Sequence, residues 1–445
     1  MSELDGFMTM KRMAYLFAVL YLAAACQADP ESTMQAAALD WDEPVKVASG
    51  QAYQGPWRMN DSEFLYVDDP AVALRGDYTY MAWVDNAEQN VLFQVYDPDS
   101  QARLDKPLDI SGSGDIFSWL PRVVVEGETV IVAWQEILFT GGSHGGEILL
   151  ARSADGGRTF SDPVNLSNTT AGAGKGRLTR QQWDNGSLDV AIADGRVHVA
   201  WTEYEGALRV ATSSDDGQRF SEPVHVAGDD DTPARAPSLA IAPDGQVWLA
   251  WTVGDDASAD IHLARSDDSA AEFSNVRRVR SSDTHADSPA LAVSDDGRVH
   301  LAWTVSAGGP FRDSHIVYAH DGNGSGSFSE PTVISGEDMG AYPQLVLAGE
   351  RLLVSWEHVP DRSARPRGIA YATSNDQGER FSLPAVVPGT AREEYGVNGG
   401  NQGLLMRKID LAEDGRVLLG HATFQEGESS AVWLLQGQWR SLTEQ

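Results

Sequence analysis

Six stretches of the chain share one pattern, an apolar run that ends in tryptophan: TYMAWVD, VIVAWQE, VHVAWTE, VWLAWTV, VHLAWTV and LLVSWEH. They carry Trp83, Trp134, Trp201, Trp251, Trp303 and Trp356, and VLLGHAT puts His421 in a seventh equivalent place. Val, Ile, Leu and Trp at this density predict β-strands buried on both faces, and the Asp-Gly or Glu-Gly-Glu pieces ahead of them predict hairpin turns.

A polar string recurs between these strands. SADGGRTF (Ser153, Asp155, Gly157, Phe160), SSDDGQRF (Ser213, Asp215, Gly217, Phe220) and SNDQGERF (Ser374, Asp376, Gly378, Phe381) all read Ser-x-Asp-x-Gly-x-x-Phe. Weaker copies stand in phase at 266–273 and 320–328. The Ser and Asp side chains can bond nearby backbone, Gly supplies a positive φ, and the aromatic residue pins the turn against the next strand. A strand, hairpin and turn repeated about every 50 residues is the signature of a four-stranded blade. The expected fold is therefore all-β, a β-propeller of seven four-stranded blades. WDEPVKVAS, residues 41–49, matches the outer-strand string FSEPVHVAG at 220–228, so an N-terminal strand is expected to close the ring by completing blade seven. If the C-terminal QWRSLTEQ serves as that outer strand instead, six or eight blades become the alternatives.

The recurring turn resembles the Asp-box (BNR) repeat of the sialidase-like β-propeller superfamily. The resemblance implies that the turns sit on the rim away from the ligand face, which makes Asp155, Asp215 and Asp376 structural. It also implies a test for catalysis. A sialidase holds its substrate carboxylate with three arginines, whose guanidinium forks match a carboxylate, and uses a Tyr nucleophile with a Glu base and an Asp acid. By that resemblance Arg58 in PWRMND, Arg235 and Arg407 are the clamps, Tyr342 the nucleophile, Glu203 (or Glu136) its base and Asp85 the acid. The family's arginine string lacks its proline here, and sialidases have six blades rather than seven.

Composition adds a location and removes a partner class. A net charge of −32 argues against nucleic acid, whose phosphates are held by Lys and Arg. Residues 1–25 read as a signal peptide, with Lys11 and Arg12 before an apolar run too short to span a bilayer. The run ends at Cys26, the only cysteine. LAAAC resembles the bacterial lipobox, which implies lipidation of Cys26, a tether over 26–40, and an exported outer-membrane lipoprotein held to the membrane by its lipid alone; a soluble secreted protein is the alternative. The propeller then occupies 41–445. Dispersed histidines and the absence of an Asp-x-Asp-x-Asp-Gly loop give no metal site, and no cofactor is expected.

Two intervals exceed the repeat length, 167–186 and 388–408, each ahead of an inner strand. Strand alternation puts them on the face opposite the recurring turns, at the mouth of the channel, with Arg180, Trp183 and Arg407 among their residues. Polar residues found at one unit only are the other candidates there: Asp184, Tyr204, His285, Asp287 and Glu357 join those named above. Trp119 and Trp183 are possible sugar platforms. His198 and His300 recur three residues before a strand Trp and read as structural. The expected function is binding of a glycan or other anionic small ligand at the mouth. An exo-sialidase-type hydrolase and a scaffold for envelope assembly are the alternatives.

Overall fold

The computed structural model describes residues 39–58, 60–99, 101–138, 146–169, 188–203, 205–254, 258–267, 269–279, 284–307, 313–322, 327–361, 365–399 and 408–440. They form a seven-bladed β-propeller of four-stranded antiparallel sheets. Running from inner to outer strand, blade one is Val67–Arg75, Tyr78–Asp85, Asn90–Tyr96 and Leu108–Asp109. Blade two begins with Ser118–Glu126 and Thr129–Glu136, blade three with Leu188–Ala193 and Arg196–Thr202, and blade four with Ala234–Ile241 and Val247–Val253. Blade five begins with His285–Val293 and Val299–Ser306, and blade six with Met339–Ala348 and Arg351–Val359. Blade seven is built from both ends of the chain: Ile409–Leu411, Arg416–Gln425 and Ser429–Trp439 are completed by Val45–Gly50. The N-terminal strand therefore closes the ring, as its sequence predicts. Gln438 and Trp439 prolong the third strand of that blade and pair with Asp40 and Leu39, so they do not supply its outer strand.

The strand tryptophans are shielded from solvent in all six second strands, and His421 holds their place in blade seven. Inner strands are sheet edges, with N–H groups that their own blade cannot pair. Side chains of the preceding blade satisfy several of them: Asp410 Oδ2 accepts from Leu74 N at 2.7 Å, Asp189 Oδ2 from Leu239 N at 2.8 Å, and Ser238 Oγ from Leu291 N at 3.1 Å.

The recurring turns share one face with the hairpins between inner and second strands. Gly156 N donates to Glu128 O, Asp216 N to Gly195 O and Gln377 N to Glu350 O. Within each turn the serine hydroxyl donates to the aspartate at 2.8 Å and accepts from the glycine N–H at 2.8 or 2.9 Å. The aspartate accepts from the N–H four residues on. These bonds hold Asp155 and Asp215 at a pKa of about 2. The glycines have φ of +83°, +80° and +83°, as expected. The aromatic residue departs from expectation. Phe160 packs edge-on against Phe93, 4.9 Å away, and Phe381 against Tyr318, 4.8 Å away. Phe93 and Tyr318 belong to the preceding blade, so the turn is a latch between blades rather than a pin on the next strand.

Candidate functional site at the channel mouth

The face opposite the turns is shaped by a repeated bulge. In five inner strands a residue with positive φ precedes a proline: Asp69, Leu120, Ala236, Ser288 and Tyr342, at φ of +51° to +59°. The sheet register slips there, for example between Arg235 and Ser238 and between Asp287 and Ala290. Such a conformation is costly for a residue with a side chain and survives only where its surroundings enforce it. At Ser288 and Tyr342 the seam enforces it. Ser288 N donates to Thr252 Oγ1 at 3.1 Å, and Tyr342 N to Thr304 Oγ1 at 3.0 Å, each threonine following the strand tryptophan of the previous blade.

The residues singled out in sequence scatter around this rim. Tyr342, Glu203 and Asp85 stand on blades six, three and one. Glu203 pairs with Arg209 on its own blade at 3.3 Å. Asp85 caps a turn by accepting from Ala87 N at 3.0 Å, and burial raises its pKa. Burial likewise raises Glu136, against bonds from Ser113 and Ser118. Arg235 braces the seam of blades four and five: Nη1 lies 2.8 Å from Asp287 Oδ1, and Nε donates to Gly254 O at 2.7 Å. Burial opposes the charge on Asp287, yet Arg235 and His285 hold its pKa far below the usual carboxylate range. Trp119 is a core residue, its Nε1 donating to Asn86 Oδ1 at 2.8 Å. Cys26, Arg180, Trp183, Asp184, Tyr204 and Arg407 lie outside the described residues.

What the fold does bring together is a buried polar cluster where blades six, seven and one meet. Lys408 Nζ lies 2.7 Å from Glu357 Oε1, with the two side chains only 4% and 2% exposed. Asn398 Nδ2 donates to the other oxygen of Glu357, and Asn398 also bonds both the N–H and the carbonyl of Gly368, at 2.6 and 2.9 Å. Asp68 and Asp69 stand beside this group. Burial, then the charge of Asp68, pushes Asp69 up to about 8, against the Leu120 N–H, Lys408 and Arg122. Burial, with Lys408 adding to it, pushes His421 down to about 3. Among the described residues no His, Cys, Asp and Glu grouping is suited to a metal ion.

Next to this cluster an aromatic ledge rises toward solvent. Trp57, 47% exposed, lies 5.5 Å from Trp119, 5.9 Å from Phe64 and 6.2 Å from Phe117. Arg58 follows it, exposed, with its own N–H fixed to Ser62 Oγ at 2.6 Å. In PWRMND the arginine is the residue the sequence marks, and nothing there distinguishes Trp57. Nothing in the sequence reading marks Asp68, Asp69 and Lys408 either, although Asp-Asp-Pro stands in phase with Ala-x-x-Pro in other blades and, of the five bulge prolines, Pro70 alone has an acidic residue directly before it.

No protein-family model matches the sequence, and no curated protein matches it. Solved structures do resemble it. A polysaccharide lyase, the PL25 ulvan lyase, superposes with a TM-score of 0.57 at 12% identity, over 90% of this chain and 98% of its own. Polysaccharide lyase Uly1 gives 0.57 at 11% identity, over 90% and 100%. A protein of unknown function from Dyadobacter fermentans gives 0.52 at 14% identity, over 73% and 95%. At these identities the likeness establishes architecture alone: the chain shares its propeller fold with polysaccharide lyases.

Proposed function

We propose that the mouth face binds a glycan, with Trp57 as the platform for a sugar ring and Arg58 donating to hydroxyl or acidic substituents. The observation that carries this reading is the exposure of Trp57 on a stack of buried aromatic rings. An indole held rigid from below and open above presents an apolar face at little entropic cost, with polar groups beside it to orient a ligand. A neighbour of the same fold, a PL25 ulvan lyase with a TM-score of 0.53 at 12% identity, is described bound to -[GlcA(1-4)Rha3S]-, which supports a carbohydrate ligand. The engagement of Arg235 with Asp287 favours binding over an arginine-clamped exo-sialidase.

The location rests on sequence: export by the N-terminal signal and tethering through Cys26, which would hold the mouth near envelope or extracellular polysaccharide. The test is titration of the purified chain with neutral, uronate-containing and sulfated oligosaccharides. Binding that falls at least tenfold in Trp57→Ala, with the fold intact, is the expected result. Undiminished affinity in that variant, or no binding of any glycan, overturns the reading.

A further inference from the structure

At three seams of the mouth the amide that precedes the bulge proline finds its acceptor on the preceding blade. Thr252 serves Ser288 and Thr304 serves Tyr342. Both threonines directly follow a strand tryptophan. In blade one that place is held by Val84, which has no acceptor, and the bond into blade two comes from a carboxylate instead: Leu120 N donates to Asp69 Oδ2 at 3.3 Å. A titratable group thus stands in for a neutral hydroxyl at one seam.

That seam carries the aromatic ledge. Leu120 follows Trp119, which packs in the same cluster as Phe64 and Phe117 and lies 5.5 Å beneath Trp57. Asp69 itself is 1% exposed. It faces Asp68 and Tyr66 from its own blade, Arg122 from blade two and Lys408 from blade seven, whose own carboxylate partner is Glu357. Behind Tyr66 stands Arg365.

We propose that Asp69 is a positioning residue for the Trp57 platform, and that it holds the platform only while the Asp68–Asp69 pair retains a proton. The inference rests on the glycan reading for its consequence, though not for its mechanism. With Asp69 raised to about 8, the proton is present at neutral pH and leaves as pH rises through that value. An ionised oxygen is the better acceptor for one N–H, but a second negative charge among buried side chains costs more than that bond returns. Asp69 then relieves the repulsion by turning away from Leu120, and the ledge above loses its support.

The experiment measures affinity of the full chain for a glucuronate–rhamnose 3-sulfate oligosaccharide at pH 6.5 and 9.5. In parallel, the ligand-free tryptophan fluorescence difference between wild type and Trp57→Phe is titrated over the same range. Wild type should lose affinity at least tenfold at the higher pH, with the Trp57 signal moving in step. Asp69→Asn, a neutral stand-in for the protonated acid, should abolish both changes. Val84→Thr, which supplies the hydroxyl found at the other seams, should abolish them as well and covers the case in which Asp69→Asn does not fold. Affinity unchanged between the two pH values, or an equal loss in both variants, overturns the inference. If no glycan binds at any pH, the functional reading fails by itself. The fluorescence titration then decides: a signal that moves in wild type and stays flat in the variants supports the linkage, and one flat throughout refutes it.

Discussion

The Tyr318 hydroxyl of blade five occupies the space that a β-carbon on Gly378 of blade six would need. Gly157 and Gly217 stand in the same relation to Phe93 and Ile131, whose side-chain atoms lie 2.7 and 2.6 Å from that position. The glycine of the recurring turn thus answers two demands, a left-handed φ and close approach of the neighbouring blade. Gly297, at φ +81° with open space around it, answers only the first. Gly297→Ala should therefore cost about 1 kcal/mol. Gly378→Ala should cost about 1–3 kcal/mol more through overpacking, read as the difference between the two in chemical denaturation.

Glu357 and Lys408 form an ion pair shielded from water on both sides. Removing one partner strands a charge, so Glu357→Gln and Lys408→Met should each destabilise by about 3–5 kcal/mol. The double variant should lose markedly less than the sum of the two. Additive losses in a double-mutant cycle would deny the coupling.

Trp119 and Trp57 touch, yet they should separate stability from binding. Trp119 is 1% exposed and Trp57 is 47% exposed. Trp119→Ala should cost about 3–5 kcal/mol as a core truncation. Trp57→Ala should cost less than about 1 kcal/mol while removing the ligand platform. Thermal melts and glycan titration on the same preparations check both halves.

The pH profile of stability should combine opposing slopes. His421 is depressed to about 3, so its contribution is complete above its unfolded pKa of about 6.5 and is lost as pH falls toward 3. Asp155, held at about 2, adds a loss only below the ordinary carboxylate range. Asp69 has the reverse sign. Raised to about 8, it contributes fully below its unfolded pKa of about 3.9, and that contribution is lost as pH climbs through 8. Between pH 4 and 6.5 the His421 and Asp69 slopes oppose each other. His421→Leu should therefore expose a decline with rising pH in that window, and Asp69→Asn a rise, in melting temperature measured across buffers.

The architecture was legible because each blade announces itself locally. The strand tryptophans and the Ser-x-Asp-x-Gly turns lie in hairpins that pair within one unit, and the WDEPVKVAS strand, which pairs with the far end of the chain, betrays itself by matching the outer-strand string FSEPVHVAG. The candidate site was legible only in its address. Position at the mouth followed from strand alternation, but the roles of Arg235, Trp119 and Glu203 depended on Asp287, Asn86 and Arg209: Asp287 stands out in the sequence, yet nothing there pairs it with Arg235, and Asn86 and Arg209 carry no mark at all. Repetition also hid what it might have revealed, since Asp69 is a departure from Ala-x-x-Pro that becomes informative only once the bulge and its cross-seam bond are known.

Sequence by itself determined the blade unit and its strand order, because hairpins and turns are short-range structures whose hydrogen bonds join near neighbours; it led to an expectation of seven blades closed by the N-terminal strand, and the pairing of Val45–Gly50 with Ser429–Trp439 chose that ring over six or eight blades. The tertiary structure alone decided what stands at the seams: Asp69 against Leu120, Tyr318 against Gly378, Lys408 against Glu357, and Trp57 above Trp119. Those pairs lie roughly 50 to 60 residues apart in chain order, each joining one repeat to the next or to the strand that closes the ring. Their geometry is set by how blades pack around an axis, which no pattern within a single repeat encodes.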